Sequence, residues 1–171
     1  MSQDKGLPWE VFRLTSALLP HLDRLFETST LTPTSLLVLS HLKHFGNDYG
    51  PGRKILLKNE LLDLLKRVYG YSAAAATTIV KNLHNGGLVD VESLTADEKE
   101  IYFGERKGYK DAVVLTERGM AELDKFNGNL NRLFDDITGD MPRVKLKALT
   151  TALAYFSRYA FDRLGNRNRQ E

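Results

Sequence analysis

The stretch YSAAAATTIVKNLHNGGLVDVESLTADEKEIYFGERKGYKDAVVLT, Tyr71 to Thr116, decides how the rest of the chain is read. Its first part predicts a helix from Ser72 to Asn85. Ser72 suits the cap, because its hydroxyl can accept a backbone N–H that the first turn leaves unpaired. Ile79, Val80 and Leu83 make one apolar stripe. The other faces carry Ala73, Ala75, Thr77, Thr78, Lys81, Asn82 and Asn85, with no acid among them. Gly86-Gly87 predicts the helix end, since glycine takes the left-handed position there at little cost. Leu88 to Glu92 then alternates like a strand, and Asp111 to Leu115 is its expected partner. Between them lie an irregular stretch, Leu94 to Gly108, and a basic tip holding Arg106, Lys107 and Lys110. Within that stretch Thr95-Ala96-Asp97-Glu98 has the pattern of a capping box and predicts a short helical turn.

Working outward, Thr32-Pro33 marks a helix start that Gly46 closes. Asn47 to Gly52 reads as a turn and Ile55-Leu56 as a very short strand. Glu60 to Val68 is a third helix without a good cap, and a three-residue connection containing Gly70 joins it to Ser72. Two helices so joined match a helix-turn-helix. Before them, Pro8 to about Thr28 is one helix rich in large apolar residues, with Pro20 expected to kink it. It must pack on something broad, such as the last helices or a second subunit. After the hairpin, Thr116 caps a helix whose Met120, Leu123, Phe126, Leu130, Leu133, Phe134 and Ile137 recur in steps of three and four, like a coiled-coil seam, to a stop at Gly139. A last helix opens at Asp140 and Pro142, carries Val144, Leu149, Leu153, Phe156, Ala160 and Leu164, and is expected to stop at Gly165. The fold class is therefore mainly α with a small β-hairpin wing.

The 171 residues suffice for one compact subunit, and 42% apolar with 27% charged residues is ordinary globular composition. Without cysteine there is no disulfide, thiolate metal site or redox thiol. The N-terminus does not look like a signal peptide, no run is long enough to span a membrane, and a cytoplasmic location is expected. A net charge of +2 decides nothing about nucleic acid, but its distribution does. Arg53, Lys54 and Lys58 form one positive island, and the tip Arg106, Lys107, Lys110 another. Asp90, Glu92, Asp97, Glu98 and Glu100 form a negative island between the helix and the tip, so DNA contact must avoid that part of the wing.

These patterns, in this order, resemble the MarR family of bacterial transcriptional regulators. Leu31-Thr32 with Val38, Leu39 and Leu42 looks like that family's second helix. Thr77, Val80, Leu83, Gly87, Leu88 and Val89 match its recognition helix and exit, and Val113, Leu115, Thr116 and Gly119 its second wing strand and next cap. The resemblance implies a winged helix-turn-helix between N- and C-terminal dimerisation helices: residues 1–30 and 117–165 for dimerisation, 31–116 for DNA, and 166–171 a polar tail. It also implies an obligate homodimer whose DNA binding weakens when a pocket takes an aromatic ligand. The chain departs from the family at the wing, which is longer than usual and lacks the Asp-x-Arg element, and at Thr78 and Asn82, where arginine is common.

The candidate DNA-binding residues are Ser72, Ala73, Ala75, Thr77, Thr78, Lys81 and Asn82 on the helix, Arg106, Lys107 and Lys110 on the wing tip, and Arg53, Lys54 and Lys58 before the third helix. The plainer readings are a small-residue packing helix, a solvated turn and a solvated loop. Trp9, Phe12, His44, Phe45 and Phe126, with Tyr49, could line an effector pocket, although aromatics at helical spacing are usually core. His41 and His44 are one helical turn apart, but nothing completes a metal site, so neither a metal nor any other cofactor is expected. Ser72, His84 and Asp90 lack the setting of a catalytic triad, and no phosphate-binding glycine loop is present, so the chain does not read as an enzyme. The function expected is a homodimeric, sequence-specific DNA-binding transcription regulator, most simply a repressor. The alternative is a winged-helix protein-interaction module that no longer reads DNA, motivated by the acidic stretch Asp97–Glu100 and the missing arginines.

Overall fold

The segment Asp-Ala-Val-Val-Leu at 111–115 is apolar at four consecutive positions, the pattern of a strand covered on both faces. It occupies an inner position in the sheet. The structure, a computed structural model, describes residues 7–104 and 110–167, with side chains at 9–104 and 110–155. Among the described residues the elements run α1 (Leu7–Glu27), α2 (Pro33–Phe45), β1 (Asn47–Asp48), β2 (Lys54–Leu57), α3 (Lys58–Arg67), α4 (Ala73–Asn85), β3 (Val89–Ser93), α5 (Ala96–Phe103), β4 (Asp111–Leu115), α6 (Glu117–Thr138) and α7 (Arg143–Arg167).

The strands form one antiparallel sheet in the order β1-β2-β4-β3. β3 pairs with the expected partner but lies one residue beyond the expected Leu88–Glu92, with Val89 opposite Leu115 and Ser93 opposite Asp111, while β2 adds Lys54 opposite Leu115 and Leu57 opposite Ala112. The wing is therefore not an isolated hairpin. It is the outer half of a sheet that includes the strand before α3.

The period of two along β2 and β4 sends alternate residues to opposite faces. Leu56, Val113 and Leu115 enter the main core with Val38, Leu39, Leu42, Leu61, Leu65, Val80, Leu83 and Leu123. Ile55, Ala112 and Val114 face the other way, where Leu94, Tyr49, Tyr102 and Phe103 cover them. The insert α5 supplies Tyr102 and Phe103. Its capping box is complete: Thr95 Oγ1 accepts from the Glu98 amide and the Glu98 carboxylate accepts from the Thr95 amide. Hydrogen bonds from the Thr95 amide and then the Thr95 hydroxyl to the Glu98 carboxylate hold its carboxyl below the ordinary value.

Several expectations hold at residue level. Thr32, Ser72 and Thr116 cap α2, α4 and α6 through their side-chain oxygens. The cap of α3 is Leu57, with no side-chain bond. Others need correction. Asn47–Asp48, read as part of a turn, pairs with β2 because the Tyr49 amide donates to the Arg53 carbonyl and Gly50 and Gly52 supply positive φ between them. Gly165 does not end the last helix, which runs on to Arg167; one internal glycine costs only about 1 kcal/mol and its neighbours override it. The buried stripe of α4 is Ala76, Val80 and Leu83, with Ile79 only partly covered.

Candidate nucleic-acid interface

α3 and α4 meet through a turn in which Gly70 has φ +70° and the Tyr71 amide donates to the Leu65 carbonyl. Ala76, fully buried, lets α4 sit close on the core, and Val80 and Leu83 continue the anchored side. At 3.6 residues per turn this leaves one outward face. Ala74, Thr78, Lys81 and Asn85 run along its middle, with Ala73, Thr77 and Asn82 beside them, and all seven are exposed. Ala75 is half-buried at the edge. Ala74 is absent from the residues chosen by type in the sequence. Only the position of the buried stripe shows that it shares the outward face.

The threonine hydroxyls on this face are engaged. Thr77 Oγ1 donates to the Ala73 carbonyl and Thr78 Oγ1 to the Ala74 carbonyl, each at 2.9 Å. Ser72 Oγ accepts the Ala75 amide at 3.2 Å. The exit of α4 is fixed just as locally. Gly87, at φ +67°, turns the chain, and Thr116 Oγ1 donates to the Gly87 carbonyl at 2.8 Å or the Leu88 carbonyl at 3.0 Å while accepting the Gly119 amide at 2.9 Å. One hydroxyl thus ties the end of α4 to the start of α6.

The first basic island is tied to acids. Arg53 lies 3.1 Å from Glu92 and 3.5 Å from Asp90, and its guanidinium stands over the Tyr49 ring at 5.4 Å. Lys54 pairs with Asp48 at 2.7 Å and Lys58 with Asp111 at 3.3 Å. A hydrogen bond from Ser93, then Lys58, holds the Asp111 carboxyl below its ordinary value. Tyr49 donates its hydroxyl to Glu92 at 2.7 Å, which with burial and the Glu92 charge pushes its pKa up to about 12. Part of the negative island is thereby compensated within the sheet. Lys81 and Lys110 are exposed. Arg106 and Lys107 lie outside the described residues.

The aromatic candidates separate. Trp9 stacks on Phe12 along α1, Phe126 packs against Phe26 in the core, and Phe45 stacks on His41 at the end of α2. His44 follows on α2, and its proximity, second to burial, lowers the His41 pKa. A cleft of about 310 Å³ includes Phe45, but Asn47, Leu56, Glu60, Tyr102 and Phe103 complete it rather than the other five candidates. Among the described residues no group of three or more His, Cys, Asp or Glu could hold a metal. No helix among them is long and apolar enough to cross a membrane.

The architecture has clear relatives among solved structures. It is similar to a MarR family protein from Bacillus stearothermophilus, with a TM-score of 0.66 and 14% identity over 90% of this chain and 91% of that one. A MarR family transcriptional regulator from Silicibacter pomeroyi matches at TM-score 0.61 and 19% identity, over 91% of this chain and 89% of its own. BpsR of Bordetella bronchiseptica, whose DNA binding is described as regulated by 6-hydroxynicotinic acid, matches at 0.60 and 15%, over 92% and 96%. No family sequence model matches the chain, and no curated protein matches it at significance. The fold is a MarR-like winged helix, mainly α with a small antiparallel sheet.

Proposed function

We propose that this chain is a homodimeric, sequence-specific DNA-binding transcription regulator that lays α4 of each subunit in a major groove. The observation that carries the reading is the outward face of α4: seven exposed small or polar residues, one of them cationic and none acidic, on a helix anchored at both ends. A groove about 12 Å wide admits such a helix, and an acid on it would be repelled by phosphate. Ser72, with the first amides of α4, would meet a phosphate, and the exposed Lys110, with Arg106 and Lys107 near it in sequence, would meet the DNA backbone beside the wing. Arg53, Lys54 and Lys58 contribute less, because each would have to exchange an acidic partner for phosphate.

Dimerisation has separate support. From Arg143 to Tyr155 only Leu146 is even partly covered, while Val144, Leu149, Leu153 and Tyr155 are exposed. Over its described side chains this helix therefore lays no apolar face against its own chain, and so lacks the packing from which helices in proteins draw most of their stability. Trp9, Phe12, Leu19, Phe134 and Ile137 add exposed apolar surface on α1 and α6. A second copy covering residues 1–30 and 117–165 accounts for all of it, and would set two half-sites about 10 base pairs apart. Repression is the simplest outcome of seating such a dimer on a promoter. Small aromatic acids are the effectors to test, since one regulates DNA binding in BpsR.

A gel shift with bulk genomic fragments at low salt tests the proposal. Retardation at micromolar dimer that weakens steeply with salt is the expected result. No retardation would overturn it in favour of a protein-interaction module.

A further inference from the structure

Resting on the DNA-binding reading, we infer that α4 reads A·T pairs, that Thr77 and Thr78 act there as hydrogen-bond acceptors only, and that Lys81, the one lysine on the helix, is its strongest guanine reader. A hydroxyl has one hydrogen to give. Thr77 and Thr78 each give it to a carbonyl one turn back, at 2.9 Å. Toward a bound duplex they therefore present lone pairs and methyl groups. An acceptor in the major groove meets the amino group of adenine or cytosine and is repelled by the O6 and N7 acceptors of guanine.

The rest of the face separates adenine from cytosine. The Ala74 methyl, at the middle of the face, has its apolar counterpart in the thymine methyl. Asn82 and Asn85 each carry a donor and an acceptor side by side, the arrangement that pairs with adenine N7 and N6. The strongest guanine reader is a bidentate guanidinium, and Ala73–Asn85 holds none. Lys81 is its one lysine, a point donor able to reach guanine O6 or N7. The half-site under α4 is therefore an A·T core with guanine in at most one contacted position.

The test is selection of bound duplexes from a random pool by the full-length protein, followed by affinity measurements on the selected site. An A·T core is expected. Replacing its contacted thymines with deoxyuridine should weaken binding about fourfold for each buried methyl lost. Thr78→Val keeps the methyl and removes the acceptor, so it should relax the choice of base facing it. Lys81→Ala should erase a single guanine preference and leave the A·T core. A guanine-rich core, equal affinity for the deoxyuridine duplex, or an unchanged selection by Thr78→Val would overturn the inference. Retardation without any enriched sequence would overturn base reading while leaving DNA binding standing. No retardation at low salt would remove both.

Discussion

Gly119 and Leu88 are in backbone contact: a Cβ at Gly119 would fall well inside the van der Waals limit of the Leu88 carbonyl oxygen and 2.9 Å from Leu115 Cδ1. Gly119 opens α6 and Leu88 leaves α4, so the contact seats one helix on the end of the other. Gly119→Ala should cost at least about 2 kcal/mol, because backbone on one side and a buried leucine on the other must both yield. Urea unfolding would read this as a lowered midpoint. Thr116→Val should cost about 1–2 kcal/mol through the lost cap and the lost tie to Gly87, with Thr116→Ser close to the parent. A parental midpoint for Gly119→Ala would mean that the corner is looser than its geometry.

The Tyr49–Glu92 bond has a pH signature. The folded-state pKa of Tyr49 is raised from 10 to about 12, so between those values the folded chain holds a proton that the unfolded chain has released. That contribution to stability is complete below pH 10 and is lost as pH rises toward 12. Tyrosinate absorbance of the native protein should include a late step from Tyr49, beside that of Tyr69, which burial also raises. Glu92→Gln should bring the Tyr49 step down and Tyr49→Phe should abolish it.

Dimer contacts can be probed on α7. Val144→Glu together with Leu153→Glu should convert a dimer to a monomer in light scattering. Each buried side chain of this kind is worth about 1.5–3 kcal/mol, so the pair should raise the dissociation constant by at least about a hundredfold. A double variant that stays dimeric at low micromolar concentration would place the interface elsewhere.

The two kinds of basic residue should differ in salt dependence. Lys81→Ala and Lys110→Ala should each reduce the slope of log affinity against log salt by about 1, the mark of one lost phosphate contact or nearby charge. Lys54→Ala should change it less, since Lys54 is already paired with Asp48. Equal slopes for all three would mean that the internal ion pairs open on binding.

Local signals were readable in the sequence and distant ones were not. Thr32, Ser72, Thr95 and Thr116 each announce a cap because the bond they make lies within three residues. The pairing of the two wing strands follows from alternation, although β3 begins one residue later than expected and the sequence sets no register. By contrast, Arg53, Lys54 and Lys58 look like one cationic island until the sheet brings Glu92, Asp48 and Asp111 to them, and two of those partners are far along the chain. β1 is invisible because two residues carry no periodicity, and its pairing depends on the turn that follows. The aromatic candidates share a residue type but sit on different elements, and only packing separates Phe126 in the core from Phe45 at the surface. Ala74 is the converse case, a position on the outward face of α4 with no chemical signal of its own.

The pairing of β2 with β4 also sets an order of events during synthesis. Lys54–Leu57 finds its partners only at Ala112–Leu115, and the corner beneath α4 needs Thr116 and Gly119 beyond them. A nascent chain that has emerged only as far as Asn85 can wind α4 but cannot close the sheet or seat the helix end. Contacts this distant pay their loop-closure entropy late and slow the rate-limiting step. The outward face of α4 is therefore fixed in place only after the start of α6 has left the ribosome, when most of the subunit has been made.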